Sequence, residues 1–332
     1  MGIGKIIQLL VDVFCPLALG FLLRHRGWMD DRGCRFLMLV NVIGLLTTMN
    51  LLSFWLLPID WALILIPALS LLTAFLSGGL AAAFFARHMP DDLQKGSYVM
   101  ASMLSNIGTM AGLASYMIFG QAGFAYTQLF ATPQNILMVV FAFPLAQYYR
   151  NRYLQKKAGS EFHFSFRKVL LTPKQLGVLG MAAGLWLHWQ AIPEPEFLKQ
   201  LFPVLIHVRA WIAFLPVGYQ LDFGEARNYY CKILGMLPLK FLVVPALIYG
   251  LARLHFTSQE LLGTILLDAA APVAINAVVT STLFQLDVDM TVASFILTTS
   301  SYIVLVVPLF YLYIRMGGDA VGEVIDKTAL QA

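Results

Sequence analysis

Long apolar runs separated by very few charges constrain this chain more than any other feature of its sequence. Of its 332 residues, 59% are hydrophobic and only 12% are charged, whereas about 25% of the residues of a soluble protein are charged. So few charges cannot cover the surface of a soluble domain of this size. We therefore expect most of the chain to face lipid, in an integral membrane protein.

A helix of about 20 mainly apolar residues crosses a bilayer, and ten runs of this kind follow one another along the chain. They predict an all-α polytopic membrane protein, with a first five-helix repeat in 1–148 and a second in 173–314. A cytoplasmic linker, 149–172, joins the repeats, and an extracytoplasmic tail, 315–332, follows them. The ten predicted spans are 6–23, 36–57, 62–85, 97–118, 124–148, 173–191, 198–220, 234–253, 259–282 and 290–314.

Lysine and arginine residues indicate how the spans are oriented. Fifteen of the 22 fall in loops that follow odd-numbered spans, five lie on the opposite side, and two lie within spans. Because basic residues are enriched in cytoplasmic loops, this distribution predicts a plasma (inner) membrane protein with both termini outside the cytoplasm. The net charge of +4 then reflects the basic residues of the cytoplasmic loops. We expect lipid around the chain and no nucleic-acid partner.

Corresponding residues in the two halves predict an internal repeat. Three pairs of helix-weakening residues share a separation of 164 positions: Gly20 and Gly184, Gly108 and Pro272, Pro144 and Pro308. Since each half contains an odd number of spans, the second half must enter the membrane upside down. Inverted repeats of this kind are typical of secondary transporters.

Spans four and nine carry the residues that would interrupt a helix. Pro272 has no amide hydrogen and breaks or kinks its helix, while Gly108 and Gly112 weaken span four. Irregular backbone at membrane depth persists only where it is buried in protein or lines a wet cavity. Two breaks in matching positions of inverted halves therefore predict a substrate site.

The residues at these breaks suit an anion. Free N–H groups at a helix start carry partial positive charge, and the side-chain amides of Asn106 and Asn276 can donate to a carboxylate. The alternative is that glycines and small polar residues only join helices, but the place of both asparagines at paired breaks favours a site. Further residues predicted to line it are Ser105, Gly108, Thr109, Thr280, Gln128 and Asn135.

Charged residues within spans are functional candidates by default. Asp268, one helical turn before the proline, could take a coupling proton or pair with Arg209 or His207, and a purely structural acid is the alternative. Arg209 could bind a substrate carboxylate or belong to a structural ion pair, and Asp12 is a weaker candidate of the same kind as Asp268. We interpret Lys240, placed near the end of span eight, as reaching toward the membrane surface.

The sequence contains no pattern that indicates an enzyme or a metal site. Its six histidines are scattered without an HExxH arrangement, and neither a GxSxG turn nor a pair of catalytic carboxylates is evident. The three cysteines form no CxxC pair. We therefore expect that the protein is not an enzyme and that it binds no cofactor, apart from a coupling proton or sodium ion.

Five short motifs are spread in order along nearly the whole chain: Cys15–Arg24, Ser105–Gly108, Gln134–Asn135, Leu215–Gly218 and Ala271–Ala277. Together they resemble the auxin efflux carrier family of membrane transporters. The resemblance implies ten helices in two inverted five-helix repeats, with broken helices four and nine crossing at mid-membrane, as in the related bile acid–sodium symporters. It also implies that polar residues at the crossover, here Asn106 and Asn276, bind small organic anions, and it is compatible with a homodimer.

One departure from that family concerns span four, where no proline follows the glycines and Leu113 stands near the corresponding position. We therefore expect a softer break, or one displaced toward Gly108. The chain as a whole is expected to be a secondary active transporter that moves a small organic anion by alternating access. A sodium-coupled symporter of the bile acid type and a membrane anion sensor that does not transport remain alternatives.

Overall fold

A computed structural model describes residues 3–57, 61–158, 176–220 and 226–312 of the chain. Apart from one isolated bridge, the backbone of these residues contains no β-structure and is almost entirely helical. The helical fold class predicted from the sequence is therefore confirmed. Most of the predicted linker and the whole C-terminal tail lie outside the described residues.

The described residues form twelve helices, several of which contain a short π-helical turn. In chain order they are α1 Ile3–His25, α2 Asp31–Leu56, α3 Leu65–His88, α4 Asp92–Met103, α5 Gly112–Ala131, α6 (134–158), α7 Leu176–Trp189, α8 Glu196–Gln220, α9 Tyr230–Ala252, α10 Gln259–Ala269, α11 Ile275–Leu283 and α12 Val288–Leu312.

Six of these helices, α1, α2, α3, α8, α9 and α12, are long and apolar enough to cross a membrane. They coincide with predicted spans one, two, three, seven, eight and ten. The other four predicted spans coincide with helices that are interrupted, shorter or more polar. The described residues are thus compatible with a membrane-embedded protein.

Side-chain caps explain where several helices begin. Asp30, Asp91, Ser258 and Asp287 stand directly before α2, α4, α10 and α12, and each accepts a hydrogen bond from a backbone N–H three residues further on. Such caps satisfy amides that have no partner inside the helix. They place polar residues in the connections and leave the apolar sequence to the helices.

Glycines bring helices of the two halves into close contact. Gly20 on α1 faces the backbone of Leu215 on α8, and Gly218 on α8 faces the backbone of Leu17 on α1, with no room for a Cβ atom at either glycine. On α7, Gly180 and Gly184 face the backbone of α2 in the same manner. Helices α1, α2, α7 and α8 therefore form one closely packed set, which we call the glycine-packed group.

The remaining helices, α3 to α6 and α9 to α12, pack around α4, and we call them the α4 group. Helix α4 contacts α3, α6, α11 and α12, and almost all of its residues are buried. Helix α10 packs between α5 and α9. The two groups meet where α5 contacts α1 and α2, and this boundary positions the candidate site.

Candidate functional site

Two helix interruptions lie against each other in the α4 group. Helix α4 ends at Met103 and helical structure resumes at Ile107, while α10 ends at Ala269 and α11 begins at Ile275. The chain between the helix ends is extended in part in both interruptions, and the two segments form an antiparallel bridge between Ser105 and Val273.

Backbone hydrogen bonds join the two interruptions directly. The amide of Asn106 donates to the carbonyl oxygen of Pro272 at 2.7 Å, and the amide of Ala274 donates to that of Leu104 at 2.9 Å. Buried polar groups of the backbone need partners wherever a helix stops. Each interruption supplies partners for the other, which explains how both persist inside an apolar protein.

The first interruption precedes the glycines at which the sequence led us to expect it. Gly108 lies in the π-helical turn Ile107–Ala111, and Gly112 begins α5. Because the opposing segment satisfies the backbone of Leu104 and Asn106, the break needs no glycine of its own. The two glycines instead make room for Gln128. Its amide nitrogen donates to the carbonyl oxygen of Gly108 at 2.9 Å. A Cβ atom added at Gly112 would lie only 3.1 Å from the same nitrogen.

A polar cavity of about 220 Å³ lies beside the paired interruptions, between the two helix groups. Asn106 and Asn276 both line it, as do four further residues predicted from the sequence, Ser105, Gly108, Thr109 and Gln128. Arg209 of the glycine-packed group, also a candidate from the sequence, lines the cavity as well. The same group contributes four lining residues that the sequence did not indicate: Asn41, Leu46, Asn50 and Met181.

One of the predicted site residues, Thr280, is not among the described residues that line this cavity. The Thr280 hydroxyl is buried and donates to the carbonyl oxygen of Asn276 at 2.7 Å, so that it supports the start of α11. The side chain of Asn135 lies outside the described part of the structure. Its neighbour Gln134 does line the cavity and donates to the carbonyl oxygen of Ser105.

Arg209 is the only charged side chain among the described residues that line the cavity. It is 4% exposed, and both terminal nitrogens of its guanidinium donate to the carbonyl oxygen of Gly108 at 3.2 Å. The guanidinium also lies 5.6 Å from the centre of the Phe124 ring. No carboxylate of the described residues lies within 4 Å of it, so this buried charge has only a carbonyl and a ring as partners.

Lys240 is buried, and our interpretation that it reaches the membrane surface is wrong. Its Nζ atom donates to the carbonyl oxygen of Ser102 at 2.9 Å and to the hydroxyl oxygen of Ser105 at 2.7 Å. Two features explain the difference: α9 begins at Tyr230, so that Lys240 lies further from the helix end than in predicted span eight, and Ser102 and Ser105 offer it polar partners inside the protein. The side chain therefore ends at the first interruption.

Asp268 is fully buried at the end of α10 and pairs with neither Arg209 nor His207. One carboxylate oxygen accepts a hydrogen bond from the Thr127 hydroxyl at 2.9 Å. The other has no hydrogen-bond partner among the described residues. A buried carboxyl with one unused oxygen is unusual, and it lies one helical turn before Pro272.

Asp12 and His207 instead pair with each other between α1 and α8. The Nδ1 atom of His207 lies 2.6 Å from one carboxylate oxygen of Asp12, and the indole N–H of Trp211 donates to the other at 3.0 Å. The Gln8 amide lies 3.0 Å from the second ring nitrogen of His207. This cluster lies within the glycine-packed group, and none of its members lines the cavity.

No family model matches the chain, and no curated protein matches its sequence. Among the described residues, no three His, Cys, Asp or Glu side chains lie together as a metal site would require. The part of the chain that the structure describes defines the class: it is helical, it contains six helices of membrane length, and it encloses a polar cavity at two paired interruptions.

Proposed function

We propose that this protein is a secondary active transporter and that it moves a small organic anion, bound in the cavity beside the paired interruptions. The observation that carries the proposal is the buried guanidinium of Arg209, which lines a polar cavity and has no carboxylate partner among the described residues. A buried charge is costly unless it is paired. A substrate carboxylate would supply the missing partner.

The other residues of the cavity support an anion over a cation. Asn106 and Asn276 line it with side-chain amides that can donate, and no carboxylate lines it among the described residues. With a volume of about 220 Å³, it is smaller than the pockets that hold drug-sized ligands. A carboxylate with a short organic body fits both the charge and the size.

The position of the cavity supports alternating access. Arg209, Met181 and Asn50 belong to the glycine-packed group, while Asn106 and Asn276 belong to the α4 group. A movement of one group against the other would open the cavity to one side of the membrane and then to the other. The motifs that resemble the auxin efflux carrier family, and the inverted repeat of ten spans which they imply, support the same mechanism.

Uptake into liposomes tests the proposal. Purified protein is reconstituted and supplied with labelled succinate, glutamate, phenylacetate or taurocholate, which represent dicarboxylates, amino acids, aromatic acids and bile acids. We expect at least one anion to accumulate, and we expect the Asn106→Ala and Asn276→Ala variants to lose that uptake. Asn228→Ala, at an exposed position outside the cavity, is the matched control and should retain it.

Two results would count against transport by this site. Binding of an anion without accumulation in the liposomes would favour the membrane sensor. Full uptake by both the Asn106→Ala and the Asn276→Ala variants would move the substrate site away from the paired interruptions.

A further inference from the structure

A second buried cation lies at the first interruption, outside the cavity. The Lys240 side chain is 2% exposed, and its two hydrogen bonds go to the carbonyl oxygen of Ser102 and the hydroxyl oxygen of Ser105. The same Ser102 carbonyl accepts a hydrogen bond from the Ser77 hydroxyl at 2.7 Å. No carboxylate of the described residues lies within 4 Å of the ammonium group.

The place where the ammonium group lies is the C-terminal end of α4. The last carbonyl groups of a helix have no amide partner within it and carry partial negative charge. Ser102 belongs to the last turn of α4, and Ser105 lies in the extended segment directly after it. This end of the helix therefore balances part of the ammonium charge, for which the described residues provide no carboxylate.

The two partners of Lys240 are also the kind of ligand that a metal cation takes. Hard cations prefer carbonyl, hydroxyl and carboxylate oxygens. In transporters with discontinuous helices, unwound carbonyls and the C-terminal ends of half-helices coordinate the coupling sodium ion. Here the same type of oxygen, at the same type of helix end, holds a lysine side chain.

We propose that the ammonium group of Lys240 occupies a cation site at the first interruption, so that this chain carries covalently the positive charge that a sodium-coupled carrier takes from solution. The cation site rests on the contacts of Lys240 alone. Its consequence for transport, that anion uptake is independent of sodium, rests on the proposed function. This consequence separates the protein from a sodium-coupled symporter.

Shortening the side chain tests the site without any transport measurement. Lys240→Ala leaves the oxygens of Ser102 and Ser105 in place and opens space where the ammonium group lay. The thermal unfolding of the purified variant is measured in choline chloride, sodium chloride and methylammonium chloride at equal ionic strength. We expect the unfolding temperature to rise by about 2–4 °C in sodium or methylammonium relative to choline, as binding to the folded state requires.

Three controls separate site binding from a general effect of salt. The wild-type protein and the Lys232→Ala variant, whose exposed lysine lies near the Tyr229 ring, should unfold at the same temperature in all three salts. Lys240→Met fills the space with an uncharged side chain of similar length, so its unfolding temperature should not rise in sodium or methylammonium relative to choline. Equal unfolding temperatures of Lys240→Ala in all three salts would overturn the proposal.

Wild-type uptake decides the question if Lys240→Ala does not fold in any of the salts. We expect the rate of anion uptake into liposomes to be the same in sodium and in choline at fixed pH and membrane potential. A rate stimulated severalfold by sodium would show that a free cation is still needed and would overturn the proposal. A protein that takes up no anion would contradict the proposed function, while the unfolding measurement would still test the cation site.

Discussion

The guanidinium of Arg209 donates to the carbonyl oxygen of Gly108 through both terminal nitrogens, at 3.2 Å each. Arg209 belongs to α8 of the glycine-packed group, whereas Gly108 follows the interruption in the α4 group, so this contact joins the two groups across the cavity. A single carbonyl oxygen shared by two donors is a weaker partner than a carboxylate, which accepts both in parallel. An anion that enters the cavity would therefore compete for Arg209 and loosen a contact between the groups.

Replacing Arg209 by lysine tests whether this geometry binds the substrate. Lysine keeps the charge but loses the planar pair of donors, so we expect the affinity for the transported anion to fall about 10- to 100-fold, or about 1.4–2.7 kcal/mol. Isothermal titration of the purified protein measures the dissociation constant. Arg253→Lys, at an exposed position beside Tyr249, should leave it unchanged. An unaltered affinity in Arg209→Lys would remove the guanidinium from the site.

Asp268 provides a separate test of coupling to protons. One of its oxygens accepts from Thr127 and the other has no hydrogen-bond partner among the described residues, so the carboxyl has an oxygen free to hold a proton. We expect wild-type uptake to increase when the outside of the liposomes is made acidic, and we expect Asp268→Asn to lose this dependence because an amide cannot take up the proton. Uptake against external pH at fixed membrane potential measures it.

Asp12→Asn is the matched control for that measurement. Asp12 is also buried, but both of its oxygens have partners, His207 and Trp211, so its loss should leave the pH profile of uptake in place. An unchanged profile in the Asp268→Asn variant would exclude Asp268 as the proton site.

Residue type and local pattern predicted much of the fold and part of the site. Runs of apolar residues predicted the helices, since burial in lipid or protein depends on composition over about 20 residues. Pro272 predicted the second interruption, within which it lies. This was possible because the loss of a backbone donor is a local property of proline. Asn106, Asn276 and Arg209 drew attention because polar groups inside apolar spans need partners, and all three line the cavity.

The features that the sequence did not reveal depend on contacts between distant residues. The first interruption lies before Gly108 because the segment around Val273 satisfies its backbone, and no local pattern encodes that pairing. The burial of Lys240 depends on Ser102 and Ser105, which lie in another helix and the segment after it. A lysine within an apolar span was the available signal, but it fits a side chain that reaches the surface equally well.

The close contact between α1 and α8 predicts a strong effect of a single methyl group. A Cβ atom on Gly218 would collide with the backbone of Leu17, whereas one on Gly250 of α9 would meet nothing within 4 Å. We expect Gly218→Ala to destabilise the protein by about 1–3 kcal/mol. Gly250→Ala should be neutral or stabilising by up to about 1 kcal/mol, because alanine is the better helix former.

Thermal unfolding of the two purified variants compares these substitutions directly. Both add the same methyl group within a helix, so the difference between them isolates the collision with the backbone of Leu17. Equal unfolding temperatures for Gly218→Ala and Gly250→Ala would mean that α1 and α8 are less closely packed than the structure has them.

Glu194, in the connection between α7 and α8, makes stability depend on pH. The side chain is buried, and burial raises the pKa of its carboxyl above the ordinary value of 4.5, while Lys199 and Gln121 offset part of the shift. Because the folded state binds this proton more tightly than the unfolded state, the carboxyl contributes its full stability below the unfolded pKa. That contribution is lost as the pH rises through the raised pKa of the folded protein.

Replacing Glu194 by glutamine should therefore stabilise the protein at neutral pH and have little effect near pH 4, because the amide never acquires the buried charge. The unfolding temperatures of wild type and variant, measured across this pH range, give the difference. Glu196→Gln is the matched control, since Glu196 is exposed and pairs with Lys199 at 3.1 Å. The unfolding temperature of this variant should not rise relative to wild type as the pH increases. A Glu194→Gln variant that gains no stability with rising pH would show that water reaches the Glu194 carboxyl in the folded protein.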